Sequence, residues 1–447
     1  MPANFLLEVF KENNLKPAII WDNKSFTYQE LYDKVNESIN LIDRYNITKG
    51  SVIALQGDFT PSSISLLIAL IQTGCIIVPL TNMNHENRKK LLSIAQVEFL
   101  FEIDKEDKIL FEQFGQSSHL EYYEIIRKRK NPGLVLFSSG TSGDPKAAVH
   151  DLSALLKKFQ TRRRSLRTIN FLLFDHWGGL NTMFYILSNV GVLITTKERS
   201  PEEICKLIEY QKVELLPASP TFINLLLLSG VYNEYDLTSL KVISYGTEPM
   251  PENTLLKLKA EFPKVKLLQT YGLIELGVMH TRSEKDDSLW VKVGGDGYKT
   301  RIVDGILQIK AESAMLGYLN APSPFTKDNW FITGDEVLEK DGYIKILGRK
   351  SEMINVGGEK VYPQEIENII MKMGNVAEVT VYGEKNSIIG NIVCANILLI
   401  KDEGDKNFIK KLKQFCKERM EKFKIPVKVQ TVHEHQYSSR YKKNRIL

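Results

Sequence analysis

The chain is 447 residues long, with 43% hydrophobic and 25% charged residues, an ordinary globular composition that excludes a fibrous or low-complexity protein. Lys and Arg number 59 against 54 Asp and Glu, and a net charge of +5 over this length does not predict a nucleic-acid-binding face. The four cysteines (Cys75, Cys205, Cys394, Cys416) contain no C-x-x-C pair, which excludes a zinc ribbon and a disulfide scaffold and predicts a reducing compartment, the cytoplasm.

The first residues, MPANFLLEVFKENNLK, carry acidic and polar side chains early and do not read as a secretory signal. SFTYQELYDKVNESINLIDRY (25–45) opens on a Ser/Thr cap with apolar residues at helical spacing. SVIALQG (51–57) reads as a strand. The apolar run 62–80 is broken by Gln72, Thr73 and Gly74, so a buried helix, a glycine turn and a buried strand are predicted rather than a membrane span. PEEICKLIEYQ (201–211) starts a helix with Pro and two acids. VELLPASP, LKVISYG and VKLLQTYG (213–220, 240–246, 265–272) read as buried parallel strands whose C-terminal ends carry loops. In such sheets ligands sit at those ends.

After about residue 290 the pattern changes to alternating strands with Gly and Asp-Gly turns, as in antiparallel hairpins. After Arg349 it reads strand, helix (YPQEIENIIMKM), two strands, then a long amphipathic helix (NFIKKLKQFCKERMEKF). The expected fold is α/β: a large N-terminal domain (1–348) with mixed and parallel sheets plus a small antiparallel β subdomain, then a small mobile α+β C-terminal domain (349–447) with a hinge near Ser351.

The strongest local signal is LFSSGTSGDPKAAVH (136–150). An apolar strand runs into hydroxyls and glycines, then Pro145 and Lys146. Glycines let backbone N–H groups approach an anion, hydroxyls add donors and the lysine adds charge. The composition suits a phosphate cradle, although the Walker A spacing fails and a Gly/Ser-rich surface turn has the same residues.

That loop is similar to S-G-T-[TS]-G-x-P-K of the adenylate-forming (AMP-binding) superfamily, which holds acyl-CoA synthetases, nonribosomal peptide adenylation domains and luciferases. Further segments resemble the family's motifs in order: TGCIIVPL (73–80), FDHWGGLNT (174–182), SYGTEPM (244–250), QTYGLIELG (269–277), GILQIKAESAMLGYL (305–319), WFITGD (330–335), GRKSEMINVGGEKVYPQEIE (348–367) and SSRYKKNR (438–445).

The resemblance implies an ATP-dependent carboxylic-acid ligase that forms an acyl-adenylate and transfers the acyl group to coenzyme A or a carrier-protein phosphopantetheine. Its cofactors would be ATP and Mg²⁺; its partners would be a small-molecule acid and, for one acceptor, a carrier protein. Ser138, Ser139, Gly140, Ser142, Gly143 and Lys146 would hold phosphates. Gly246, Thr247, Glu248, Thr270, Tyr271 and Gly272 would hold adenine, and Asp335 and Arg349 the ribose and phosphate edge. Lys442, Thr141, Glu275 and His176 would be catalytic, with Glu275 on the metal. Asp175, His176, Gly179 and Leu273 would line the acid site, and Gly357 and Gly358 the thiol path.

Taken singly, these residues also read as ordinary structure: Glu275 a loop acid, Tyr271 core packing, Gly246 and Asp335 turn residues, Arg349 a surface ion pair, Lys442 a solvated tail charge, His176 a core histidine. The run RRRSLR (162–167) reads as a solvated helix face more than as a site for acidic groups. The remaining histidines show no metal-ligand spacing.

Several positions depart from the family pattern. Ile274 stands for Thr, Ser351 for the usual hinge Asp or Lys, Asn355 for a common Lys and Ile306 for Glu, and Tyr441 rather than Gly precedes Lys442. Two other readings therefore remain beside acyl ligation. Asp175 suggests an amino-acid-activating enzyme, and Ile274 with the loose terminal motif suggests a degenerate nucleotide-binding regulator.

Overall fold

The computed structural model describes residues 2–115, 117–138, 145–386, 390–438, 441 and 443. The helix Tyr28–Arg44 begins as its sequence dictates. Thr27 accepts the Glu30 N–H, and the Glu30 carboxylate takes the Thr27 N–H at 2.6 Å. Helix Pro61–Thr73 has Thr60 as cap, Pro61 in its first turn and Gly74 at φ +77° at its end. It is apolar on every side because it is buried on every side.

Among the described residues the strands form four main sheets. The first runs in the order Lys266–Gln269, Val242–Tyr245, Leu215–Ala218, Arg167–Ile169, Val192–Ile194, Pro17–Trp21, Lys24–Thr27, parallel except for the last hairpin. The second is mixed: Gly317–Tyr318, Lys146–Asp151, Gly133–Ser138, Ile76–Leu80, Val52–Gln56, Phe99–Ile103, Ile109–Gln113.

Helices Tyr28–Arg44, Pro61–Thr73 and Trp177–Ser188 fill the space between these two sheets in one continuous core. The outer face of each sheet is covered in turn, by Pro201–Gln211, Pro220–Ser229 and Glu252–Glu261 on the first and by His85–Ile94 and Glu121–Arg129 on the second. Each of the aliphatic side chains of Pro61–Thr73 at the centre of this five-layer stack contributes about 2 kcal/mol of burial.

The third sheet is antiparallel, from His280–Ser283 to Tyr298–Val303, with a small core of its own around Leu307, Ile309 and Phe331. Its strand Tyr343–Arg349 leads through the turn Lys350–Glu352 into the fourth sheet. There the strands Ile354–Val356, Glu359–Val361, Val376–Asn386, Gly390–Leu399 and Lys428–Val432 carry helices Pro363–Ile370 and Asp405–Lys417. The fold is the expected α/β body with an antiparallel subdomain and a small α+β C-terminal unit.

Two details differ from the sequence reading. The last helix stops at Lys417, and the chain turns through Lys422–Lys424 before Pro426, which lacks the N–H a helix needs. The 162–167 run is not a helix: it is an irregular segment entering strand Arg167–Ile169. Three of its arginines are committed within the molecule, Arg162 to Glu12 at 2.6 Å, Arg163 to His280 at 3.0 Å and Arg167 to Gln211 O at 2.8 Å.

The C-terminal unit docks on the outer helices of the first sheet. Asn224 Nδ2 donates to Ala377 O at 3.1 Å and Asn253 Nδ2 to Met371 O at 2.8 Å, while Asn368 Oδ1 accepts the Glu252 N–H. Among the described residues no helix is long and apolar enough to cross a membrane.

Candidate active site

Strands Gly133–Ser138 and Lys146–Asp151 form a hairpin in which Ser138 faces Lys146. The loop they bracket, with Ser139, Gly140, Thr141, Ser142 and Gly143, lies outside the described residues, as does Lys442. The Lys146 ammonium lies 5.7 Å from the Tyr318 ring centre. Tyr318, on the strand that pairs with Lys146–Asp151, donates its hydroxyl to Glu275 Oε1 at 2.5 Å. A line therefore runs from Lys146, on this hairpin, through Tyr318 to Glu275.

A second group joins it. Asp335 and Arg349 face each other across the antiparallel strands Phe331–Lys340 and Tyr343–Arg349, with Arg349 Nε 3.5 Å from Asp335 Oδ1. Tyr271 donates its hydroxyl to Asp335 Oδ2 at 2.5 Å. Asp335 is only 6% exposed, and burial pushes its carboxyl above the usual range, opposed by the Arg349 guanidinium and the Tyr271 hydroxyl. Burial and the Asp335 charge raise Tyr271, so it stays a neutral donor. Burial works against the Arg349 charge, but Asp335, Glu275 and Glu352 outweigh it and raise its pKa. Glu275, Asp335 and Arg349 thus share one electrostatic neighbourhood.

The segment after strand Val242–Tyr245 lies close on its neighbour. A Cβ on Gly246 would stand 2.3 Å from Thr270 Oγ1 and 2.8 Å from Thr270 O, so only glycine fits. Thr247 sits at φ +73°, and its hydroxyl is buried without a hydrogen-bond partner. Gln269 Oε1 and the Tyr245 hydroxyl, on adjacent strands, are orphaned too. Unpaired buried polar atoms are costly, and several beside a strained turn at sheet C-terminal ends fit a polar ligand such as a nucleotide base. Glu248 faces elsewhere. It accepts the Thr221 N–H at 2.8 Å, at the start of helix Pro220–Ser229, and the Lys443 N–H at 3.4 Å. Gly272 is exposed and Leu273 half-buried in the short pairing with Gly277–Val278.

The acid-site candidates gather at the start of Trp177–Ser188. His176 is its cap, its Nδ1 accepting the Gly178 N–H at 3.0 Å. Asp175 is 6% exposed and its Oδ2 takes the Thr81 hydroxyl at 3.2 Å. A Cβ on Gly179 would lie 2.3 Å from Leu173 O, so glycine lets this helix start pack on the preceding loop.

Gly357 and Gly358 are apart from all of these. They form the exposed tip of the hairpin Ile354–Val356/Glu359–Val361, at φ +62° and +96°, with nothing within 4 Å of either Cβ position. Ser351 is exposed in the turn that joins the third and fourth sheets.

Two contacting residues were not assigned from the sequence. Tyr318 stands in the quoted Gly-Tyr element, and that was its signal. Thr81 directly follows the quoted V-P-L segment.

Comparison with known proteins gives the family and the fold. Residues 8–305 match the family described as AMP-binding enzyme, and residues 365–439 the AMP-binding enzyme C-terminal domain. The chain is 26% identical to the 2-succinylbenzoate–CoA ligase of Listeria innocua, covering 97% of this chain and 96% of that protein. It is 25% identical to the indoleacetate–CoA ligase of Aromatoleum aromaticum, covering 93% and 91%.

Among solved structures, the anthranilate CoA ligase AuaEII with anthranoyl-AMP superposes with a TM-score of 0.84 at 18% identity, covering 99% of this chain and 95% of that one. ATP-bound MatB from Rhodopseudomonas palustris gives 0.78 at 21% identity, covering 97% and 95%. The ordered motifs, the five-layer body with its C-terminal unit and the family match over residues 8–305 lead to one conclusion: the chain belongs to the AMP-binding enzymes of the adenylate-forming superfamily.

Proposed function

We propose that the chain is an ATP-dependent acid–thiol ligase of the acyl-CoA synthetase type. A small-molecule carboxylate attacks the α-phosphorus of ATP; a P–O bond to the acid forms and the P–O bond to pyrophosphate breaks. The acyl-adenylate is then attacked by a thiol, of coenzyme A or a phosphopantetheine arm, which forms the thioester and releases AMP. The observation that carries this reading is the convergence of Lys146–Tyr318–Glu275 and Tyr271–Asp335–Arg349 at the edge of the phosphate-loop hairpin.

The difficulty of the first step is bringing two anions together, so alignment and charge neutralisation dominate over proton transfer. Asp335, oriented by Tyr271 and Arg349, would accept the ribose hydroxyls. The loop after Val242–Tyr245 would hold adenine. Lys146 and the loop hydroxyls, Thr141 among them, would receive phosphate oxygens, and Lys442 the charge that develops on the α-phosphate.

Mg²⁺ would arrive with the nucleotide and take one protein carboxylate. Glu275, whose Oε1 accepts the Tyr318 hydroxyl, would be that carboxylate. Bound there, Mg²⁺ neutralises phosphate charge. His176 would orient the acid's carboxylate beside Gly179 and Leu273.

For the second step we place a hinge at Ser351, between domains 1–348 and 349–447, so that rotation withdraws Lys442 and brings the Gly357–Gly358 tip to the site. The match over nearly the whole chain to CoA ligases of 2-succinylbenzoate and indoleacetate favours an acyl acid over an amino acid.

The test is AMP and pyrophosphate release with 2-succinylbenzoate, indoleacetate, octanoate and a set of amino acids. Release with at least one of the three acyl acids, followed by thioester formation with coenzyme A, is expected. ATP binding in calorimetry without release for any acid would instead support a nucleotide-binding regulator.

A further inference from the structure

Among its described residues, the end of the chain reaches the large unit through the Tyr441 side chain and through the Lys443 N–H, which donates to Glu248 Oε2 at 3.4 Å. Tyr437 and Lys443 pair as a β-bridge, and the Tyr441 N–H donates to Ser438 O at 2.9 Å. Tyr441 lies at φ +50°, a left-handed conformation that is unfavourable for a residue with a Cβ and persists where the surroundings hold it.

The surroundings do hold it. Its ring meets Phe171 at 5.6 Å and Phe222 edge-on at 5.5 Å, both in the core of the first sheet's outer layer, and stacks on Tyr437 at 5.4 Å. Its hydroxyl donates to Arg199 O at 2.7 Å. Arg199 is itself fixed: Nη2 bonds both Asp58 oxygens at 3.1 and 3.0 Å, and Nε donates to Phe171 O at 2.7 Å. One network therefore presents both the carbonyl and the aromatic face that Tyr441 reads.

Two residues on, Lys443 Nζ bonds Glu367 Oε2 at 2.9 Å and Val379 O at 3.1 Å, both within the C-terminal unit. The Lys443 ammonium thus holds to its own unit, while the Tyr441 side chain and the Lys443 N–H reach the other. A cavity of about 360 Å³ bordered by Leu173, Arg199, Tyr437, Ser438 and Tyr441 leaves the ring room to withdraw.

We propose that Tyr441 is a positioning residue: seated in the Phe171–Phe222–Arg199 socket, it latches the C-terminal unit in the arrangement that serves adenylate formation, and its release accompanies the thioester step. This rests on the reading above that the segment around residue 442 serves the first half-reaction. The departure from glycine at 441 then has a physical role, because a glycine there would relax the backbone and remove the latch.

The test compares Tyr441→Gly, which eases the turn and deletes the anchor, with Tyr441→Phe, which keeps the rings and loses the hydroxyl. Amide hydrogen exchange of residues 437–443 in the unliganded protein needs no substrate. It should quicken about ten- to a hundredfold in Y441G, from the loss of two cross-unit aromatic contacts, and fall between wild type and Y441G in Y441F. ATP–pyrophosphate exchange, with whichever of 2-succinylbenzoate, indoleacetate or octanoate supports it, should fall about tenfold or more in Y441G. Thioester formation from the supplied acyl-adenylate should stay within about twofold, a split that general destabilisation does not produce.

Equal hydrogen exchange in wild type and Y441G would overturn the latch. Faster hydrogen exchange with both half-reactions unchanged, or lowered together, would overturn its positioning role. If none of the acids is activated, the ligase reading fails, while the hydrogen-exchange arm still decides whether Tyr441 docks the two units.

Discussion

Replacing Asp335 by Asn separates what this carboxylate does for the fold from what it does for the ligand. In the fold it is disfavoured: burial raises its pKa despite Arg349 and Tyr271, so the ionised form sits less well here than in water. The sign follows from linkage. A carboxyl with a raised folded pKa carries a cost at every pH above that value, and the cost is recovered as pH falls through it.

Asn removes that cost and keeps an acceptor for the Tyr271 hydroxyl. The stranded Arg349 side chain is 47% exposed and water can solvate it. D335N should therefore leave the melting temperature at pH 7.5 within about 2 °C of wild type, or raise it.

For the nucleotide the balance reverses. Two ribose hydroxyls bonded to a carboxylate contribute about 1.5–3 kcal/mol each, and Asn retains one weaker acceptor. A net loss of about 2–3 kcal/mol weakens ATP binding roughly 30- to 150-fold. Calorimetric titration of ATP into both proteins, beside thermal unfolding, measures the two quantities. ATP affinity within threefold of wild type would refute the ribose assignment. A fall of many degrees in melting temperature would refute the claim that Asp335 serves the ligand at the expense of the fold.

Lys442→Ala should cut ATP–pyrophosphate exchange by roughly 10²–10³-fold, as for one lost preorganised donor, and spare thioester formation from supplied acyl-adenylate; intact exchange would remove Lys442 from the mechanism. Lys158, beneath Val278 with Nζ donating to its carbonyl at 2.9 Å, has its pKa pulled down to about 7, first by burial and then by Arg163. Its burial cost is fully present below pH 7 and is relieved as pH rises from there toward the unfolded value near 10.5. Urea unfolding should therefore show wild type gaining on Lys158→Met between pH 7 and 10, with the variant more stable by about 2 kcal/mol at pH 7. Parallel pH profiles would contradict the burial argument.

Local rules carried much of the fold. Thr27 with Glu30, Thr60 with Pro61, and Gly74 start and stop helices through bonds within one turn, so neighbouring residues contain the instruction. The apolar run 215–218 announced a buried parallel strand because both sheet faces are covered there. The extent of the last helix was misread because helical periodicity continues past Lys417 while the packing does not.

The site was legible only as a set of motifs in order. Family resemblance named Glu275, Asp335 and Arg349, yet nothing in the sequence joins residue 318 to 275, 271 to 335, or 441 to 199. Those pairs are far apart along the chain, and their contact depends on how sheets, not residues, are stacked. What the sequence determined by itself is the order of the family motifs and many of the helices and strands, since both are written in short-range spacing. Tertiary structure alone decided that Glu248 caps a helix, that Asp335 is buried, and that Tyr441 bridges two units, because burial and long-range hydrogen bonding exist only once separate layers meet.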